Sequence, residues 1–336
     1  MKKFNFKELK KTFIVAEIGN NHEGKYNIAK KLIKLAAKAG ADAVKFQTFK
    51  VEEFINPKDK KRFNQIRKFQ LNYRQFKNLK KLANSYKLKF ISTPLDLESS
   101  NFLLKNSDII KIASSDNNFF PMIDNILKSK KPTIISTGLL NFEQILYLKN
   151  RINKKIDKKT MNENISFLHC VTNYPVITED ANLNSINFLI NNLDQCIGYS
   201  DHTVGKEACL LAASLGAKII EKHFTIDKKF SNFRDHAISA DYMELKEIVD
   251  SIRKIEKLMG KNEKVIQKCE KPFLKIVRRM PYAKKNIEIN DRISFSNIKF
   301  LRSTKSRNYL DLENIIGKKT KKKIKKNQLV NKRNLK

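Results

Sequence analysis

Two stretches of the chain, "GYSDHT" (198–203) and "EKHFT" (221–225), each place a histidine after a short apolar run: His202 and His223, two of only five in the sequence. If the two runs are neighbouring strands, about 4.8 Å apart, both imidazoles reach one divalent ion. Two protein nitrogens leave positions open for water and substrate oxygens, which suits Lewis-acid catalysis better than a structural metal. His22 and His169 follow similar runs and are further candidates. A second pattern is cationic. Lys45 in "AVKFQTF" (43–49) and Lys111 in "IIKIAS" (109–114) interrupt runs that a buried parallel strand would fill with Val, Ile and Leu. Lysine is almost never fully buried without a partner, so each needs an anion. With the hydroxyls of Ser114 and Ser136 nearby, the expected guest is a phosphate, a carboxylate or a molecule carrying both. The alternative is structural, with each lysine paired to a neighbouring glutamate.

These residues converge only if the fold brings eight runs to one place. The runs are "FIVAEIG" (13–19), "AVKFQTF", "KFISTP" (89–94), "IIKIAS", "TIISTG" (133–138), "ISFLHCV" (165–171), "QCIGYSD" (195–201) and "KIIEKHFT" (218–225). Amphipathic stretches such as "NIAKKLIKLAAKAG", with Ile28, Leu32, Leu35 and Ala36 on one face, lie between most of them. Strand and helix in alternation predict a parallel sheet. An internal echo, "LAAKAGADAVKFQ" (35–47) and "LAASLGAKIIEKH" (211–223), predicts left-handed helix ends at Gly40 and Gly216. Eight such units predict an α/β fold, a (β/α)8 TIM barrel, with a doubly wound sheet as the alternative.

In a barrel the active site lies at the C-terminal strand ends, and this sequence loads nearly all of them with polar residues. The first strand ends in Glu17, Asn20, Asn21 and His22, the second in Lys45 and Gln47, the third in Ser92 and Thr93, the fourth in Lys111, Ser114, Ser115 and Asp116. The fifth follows with Ser136 and Thr137, the sixth with His169, Thr172, Asn173 and Tyr174, the seventh with Ser200, Asp201 and His202, the eighth with Glu221, Lys222 and His223.

Length and composition agree. The chain has 336 residues, 41% hydrophobic and 31% charged, enough for a barrel of roughly 250 residues plus an appendage. The barrel is expected over 1–262, a linker over 263–278, and a small β-rich domain over 279–336. No run matches a membrane span of roughly 18 apolar residues, and charges interrupt "MKKFNFKELKK", so a cytoplasmic protein without a membrane role is expected. Cys170, Cys196, Cys209 and Cys269 form no C-x-x-C pair, which argues against a disulfide framework or a zinc cluster. The formal net charge of +35 is extreme, but the lysines are scattered and not interleaved with aromatic residues, so no nucleic-acid partner is expected. The competing reading is a non-enzymatic polyanion binder using the dense tail "GKKTKKKIKKN" (317–327).

With these residues assembled, the chain resembles the sialic acid synthase family. The matching stretches, in order, are "AEIGNNHEG", "AVKFQTF", "FISTPLD", "KIASSD", "IISTG", "HCVTNYP", "GYSDHT" and "EKHFT". The tail, "YAKKNIEINDRISFSNIKFLR" and "IIGKK", is similar to the small SAF (antifreeze-like) domain that follows the barrel in that family. The resemblance implies an enzyme that condenses phosphoenolpyruvate (PEP) with an N-acetylated amino sugar to give a nine-carbon ulosonic acid and phosphate. It implies that Lys45, Lys111, Ser114 and Ser136 hold PEP, aided by Thr93, Thr172 and Ser200, and that His202 and His223 bind Mn²⁺. It further implies that Glu17 and Gln47 face the metal and sugar, that Tyr174 and Asp116 touch the sugar, and that Asp235 acts near the reacting carbonyl. Across a domain-swapped homodimer, Arg302 would reach the partner's sugar. Three departures stand out: "FSNFRDH" replaces the Gly-Pro that often precedes the aspartate, Asp116 stands where many members carry a glutamate, and Ser303 stands in place of the usual proline. The implied acceptor is N-acetylmannosamine, giving N-acetylneuraminate, or a bacillosamine-related sugar, giving legionaminate or pseudaminate. A related PEP aldolase acting on a sugar phosphate would need a second phosphate pocket.

Overall fold

The computed structural model describes residues 4–302 and 314–336. Two compact units divide the chain, Met1–Gly260 and Lys261–Lys336.

In the first unit eight parallel strands close into a barrel in sequence order. They are β1 (Phe13–Gly19), β2 (Ala43–Thr48), β3 (Lys89–Pro94), β4 (Ile109–Ile112), β5 (Thr133–Ser136), β6 (Ile165–Cys170), β7 (Cys196–Asp201) and β8 (Ile219–His223). The doubly wound alternative is thereby excluded, because β1 pairs with both β2 and β8. Helices cover the outer face, and the helix Tyr26–Ala39 ends as the echo predicts: Gly40 has φ 88° and donates its N–H to the Ala36 and Ala37 carbonyls. Gly216, at φ 99°, makes the corresponding turn before β8.

Strand alternation splits the barrel interior into two tiers. Val15, Ala43, Ile91, Ile109, Ile134, Leu168 and Ile219 form an apolar lower tier. Phe4 and Phe6, flanking Asn5, pack beneath it, Phe4 against Phe13 with ring centroids 5.1 Å apart, and plug the N-terminal end. Moving up each strand by two residues replaces these positions with Glu17, Lys45, Thr93, Lys111, Ser136, Cys170 and Glu221; Ser200 lies two above Gly198 and His223 two above Glu221. Gly198 is required between the tiers, since a Cβ there would lie 2.5 Å from Leu168 Cδ2 and 2.6 Å from the Ile219 carbonyl.

In the second unit, β9 (Arg279–Ala283) and β10 (Ile298–Arg302) pair antiparallel, with isolated bridges from the remaining chain. Its own core holds Ala283, Ile287, Ile293, Ile298, Ile315, Ile324, Val330 and Leu335. Among the described residues no helix is long and apolar enough to cross a membrane.

Candidate active site

The upper tier and the loops above it enclose a cavity of about 340 Å³. Of the barrel residues singled out from the sequence, those given a catalytic, PEP, sugar or metal role line it: Glu17, Lys45, Gln47, Thr93, Lys111, Ser114, Asp116, Ser136, Thr172, Tyr174, Ser200, His202, His223 and Asp235. Arg302 is exposed at the end of β10 in the second unit, and Ser303 lies outside the described residues.

At the floor the two lysines share one carboxylate. Glu221 Oε1 accepts from Lys45 Nζ at 2.7 Å and from the Ser200 hydroxyl at 2.9 Å, and Lys111 Nζ lies 3.4 Å away. Lys45 also sits 3.4 Å from Glu17. Glutamate pairing, the structural alternative, is therefore present. It does not exhaust the site. Burial pushes Glu17 up to about 7, against the pull of Lys45, so near neutrality this carboxyl is only partly ionised. Burial raises Glu221 too, but Lys111 and Lys45 outweigh it and hold the carboxyl well below its ordinary value. Burial likewise lowers Lys111, whereas in Lys45 the two glutamates outweigh burial and raise it. One partly ionised and one ionised carboxylate offset two ammoniums incompletely. Around them the buried hydroxyls of Thr93, Ser136 and Thr172 have no hydrogen-bond partner among the described residues, nor has Glu221 Oε2. Unsatisfied hydroxyls beside two ammoniums are what an oxyanion seat requires. Gly138 keeps the seat open, because a Cβ there would press on Thr172 and lie 2.6 Å from Ser114 Oγ.

Above this seat His202 and His223 stand with ring centroids 5.3 Å apart. His202 Nδ1 donates to the Val171 carbonyl at 2.8 Å, which fixes the ring and leaves Nε2 free to face the cavity. Burial holds His223 well below its ordinary value, hence neutral, and its Nδ1 has no hydrogen-bond partner among the described residues. Among the described residues no third His, Cys, Asp or Glu joins them as a metal-sized cluster. The donor set fits an open divalent site completed by water or substrate oxygens. His22 and His169 do not join this pair. His22 Nδ1 accepts from the Gly24 amide at 3.0 Å, and His169 Nε2 bonds the Ala181 carbonyl at 2.9 Å. Asp201 and Lys222 point away from the cavity and pair with each other at 2.6 Å.

The rim comes from loops. Tyr174 packs on His202 with centroids 4.1 Å apart, and the Arg234 guanidinium lies 4.8 Å above the Tyr174 ring. Asp235, raised by burial against the opposing pull of Arg234, stands 3.4 Å from Arg234 Nε. Asp116 is raised by burial as well. Residues given no role in the sequence also line the cavity: Glu221, Phe233, Arg234 and, from the segment between β2 and β3, Phe54, Arg62 and Ile66. Glu221 was legible, being a charge inside "KIIEKHFT" by the same rule that flags the lysines. Arg62 lies on the helix Lys60–Phe69 and Arg234 in the loop after β8, and nothing local in the sequence separates either from the many surface cations.

Comparison with known proteins places this geometry in a family. The NeuB family model matches residues 32–264. N,N'-diacetyllegionaminic acid synthase of Campylobacter jejuni is 37% identical over 336 residues, covering 96% of this chain and 99% of the relative. N-acetylneuraminate-9-phosphate synthase of Mus musculus is 33% identical over 77% of this chain and 74% of its own length. The crystal structure of N-acetylneuraminic acid synthetase from Leptospira borgpetersenii serovar Hardjo-bovis, in complex with citrate, superposes with a TM-score of 0.73 at 34% identity, covering 78% of this chain and 90% of that one. The chain belongs to the NeuB family, the sialic acid synthase family that its ordered motifs resemble.

Proposed function

We propose that the protein is a PEP-dependent sugar-acid synthase. It joins the methylene carbon of PEP to the aldehyde carbon of an open-chain N-acetylated amino sugar. Water adds at the phosphate-bearing carbon, and the C–O bond to phosphate breaks. The observation that carries this reading is the oxyanion seat of Lys45, Lys111, Ser136, Thr93 and Thr172 directly below the His202–His223 pair.

Lys45 and Lys111 hold the phosphate and carboxylate of PEP, with Ser114, Ser136 and Ser200 completing the shell, so that the nucleophilic carbon is fixed beneath the acceptor. His202 and His223 hold the divalent ion, Mn²⁺, which supplies Lewis acidity toward the sugar aldehyde. Glu17, partly protonated near neutrality, faces that carbonyl with Gln47, while Tyr174 and Asp116 position the sugar. Asp235, its carboxyl raised by burial, exchanges a proton at the reacting oxygen. The second unit acts as an SAF domain within a homodimer, where Arg302 touches the sugar bound by the partner.

N-acetylmannosamine is the first acceptor to test. A bacillosamine-related sugar is the second, favoured by the near-complete match to the Campylobacter jejuni legionaminic acid synthase. Phosphate release from PEP with Mn²⁺ across a panel of N-acetylated amino sugars discriminates them. No release with any acceptor, together with salt-sensitive binding to polyanions, would replace the enzyme reading by the polyanion one.

A further inference from the structure

The loop after β8 delivers Phe233, Arg234 and Asp235 to the cavity, yet its sequence "FSNFRDH" contains no Gly or Pro to fix its path. The structure shows what holds it. Glu23, in the loop after β1, accepts from the Ser231 hydroxyl and from His236 Nε2, the latter at 3.3 Å. His236 is fully buried, and its Nδ1 bonds Thr225 Oγ1 at 2.7 Å at the base of the same loop. Ser231 Oγ in turn accepts from the Phe233 amide at 3.0 Å. One carboxylate oxygen thus ties both flanks of the Arg234–Asp235 pair to a neighbouring loop.

The anchor is itself held rigidly. Glu23 has φ 49°, a left-handed conformation uncommon for a non-glycine residue. Gly24 follows at φ 73°, against the Lys68 carbonyl, where no side chain would fit. The side chain of Glu23 is only 15% exposed and does not line the cavity.

We propose that Glu23 is a positioning residue for Asp235, a latch that holds the β8 loop over the acceptor through Ser231 and His236. This rests on the synthase reading for what Asp235 does there, while the latch itself can be tested without turnover. Peptides spanning 226–240 in Glu23→Ala should exchange backbone hydrogens at least tenfold faster than in the wild type, with exchange in β4 and β5 unchanged. Glu23→Gln keeps an acceptor oxygen in the same place and should restore wild-type protection. In the phosphate-release assay, Glu23→Ala should lose at least tenfold in kcat and raise the acceptor KM while the PEP KM stays within twofold, and Glu23→Gln should recover most of that loss. Unchanged exchange in 226–240, or faster exchange with kcat intact, would overturn the proposal. Uniformly faster exchange through the barrel would show Glu23 to be a general stabiliser, which also overturns it. A wild-type chain that releases no phosphate with any acceptor refutes the synthase reading instead, and the exchange comparison still decides the latch.

Discussion

Glu221→Gln tests the floor of the site most directly, because it removes the carboxylate common to both lysines while keeping the side chain's size. Lys45 loses an ion pair at 2.7 Å and Lys111 one at 3.4 Å, and both side chains are nearly inaccessible. Removing one partner of a buried pair costs about 3–5 kcal/mol, because the remaining charge stays buried without compensation. Glu17 remains 3.4 Å from Lys45 and is drawn toward its ionised form, so the loss should fall near the lower end, about 3 kcal/mol. An anion seated between the lysines replaces the missing charge. At about 100 times its dissociation constant, PEP should return about 2.7 kcal/mol to the folded state. Urea unfolding followed by far-ultraviolet circular dichroism, in phosphate-free buffer with and without PEP, measures both quantities. Matched chloride serves as the ionic-strength control. A variant as stable as the wild type without anion would refute the charge argument. A destabilised variant that neither PEP nor phosphate rescues would refute the seat.

Two further outcomes follow from the histidines. His202→Ala and His223→Ala should each abolish phosphate release with an unchanged circular dichroism spectrum, and Mn²⁺ should raise the unfolding midpoint of the wild type but not of either variant; full wild-type activity in chelator would refute the metal role. Burial lowers His22 to about 3 from 6.5, so the folded chain binds fewer protons than the unfolded one between those values, and stability present above pH 6.5 is lost on acidification. Between about pH 7 and 5 this group alone should remove about 2 kcal/mol, at about 1.36 kcal/mol per unit; urea midpoints of His22→Asn, whose Oδ1 can take over the Gly24 amide, should show a shallower dependence over that range.

The barrel was legible because short apolar runs alternating with amphipathic stretches, and a helix's left-handed ending, are written locally. Gly40 and Gly216 both adopt the conformation that the repeated helix–Gly–Ala–strand pattern demands. The upper-tier residues were legible for a related reason: a charge inside an apolar run has few structural explanations, and Lys45 and Lys111 both face the cavity. The partner of those lysines was harder to assign. Register, not sequence distance, decides which carboxylate they meet, and β8 carries Glu221 to a lysine 176 positions away. His22 and His169 had the same local signature as His202 and His223, and only the direction of their side chains separates them. Arg234 and the Glu23 latch depend on loop paths that no repeating pattern encodes.

The aromatic plug beneath β1 has a kinetic consequence. With Phe4 and Phe6 closing the lower end, the barrel is a blind well, and all traffic uses one mouth. Lys111 and Ser136, at the bottom, are 2% and 1% exposed, whereas the Arg234 side chain at the rim is 71% exposed. Occupants of such a well queue: whatever sits on the lysines must enter before the acceptor arrives and can depart only after the product has cleared the rim. With PEP on the lysines as proposed, the expected sequence is PEP first and inorganic phosphate last. Product inhibition reads it out, with phosphate competitive against PEP and not against the sugar. Random order would mean that the rim loops swing aside on every turnover, and the walls would then guide the reactants without queuing them.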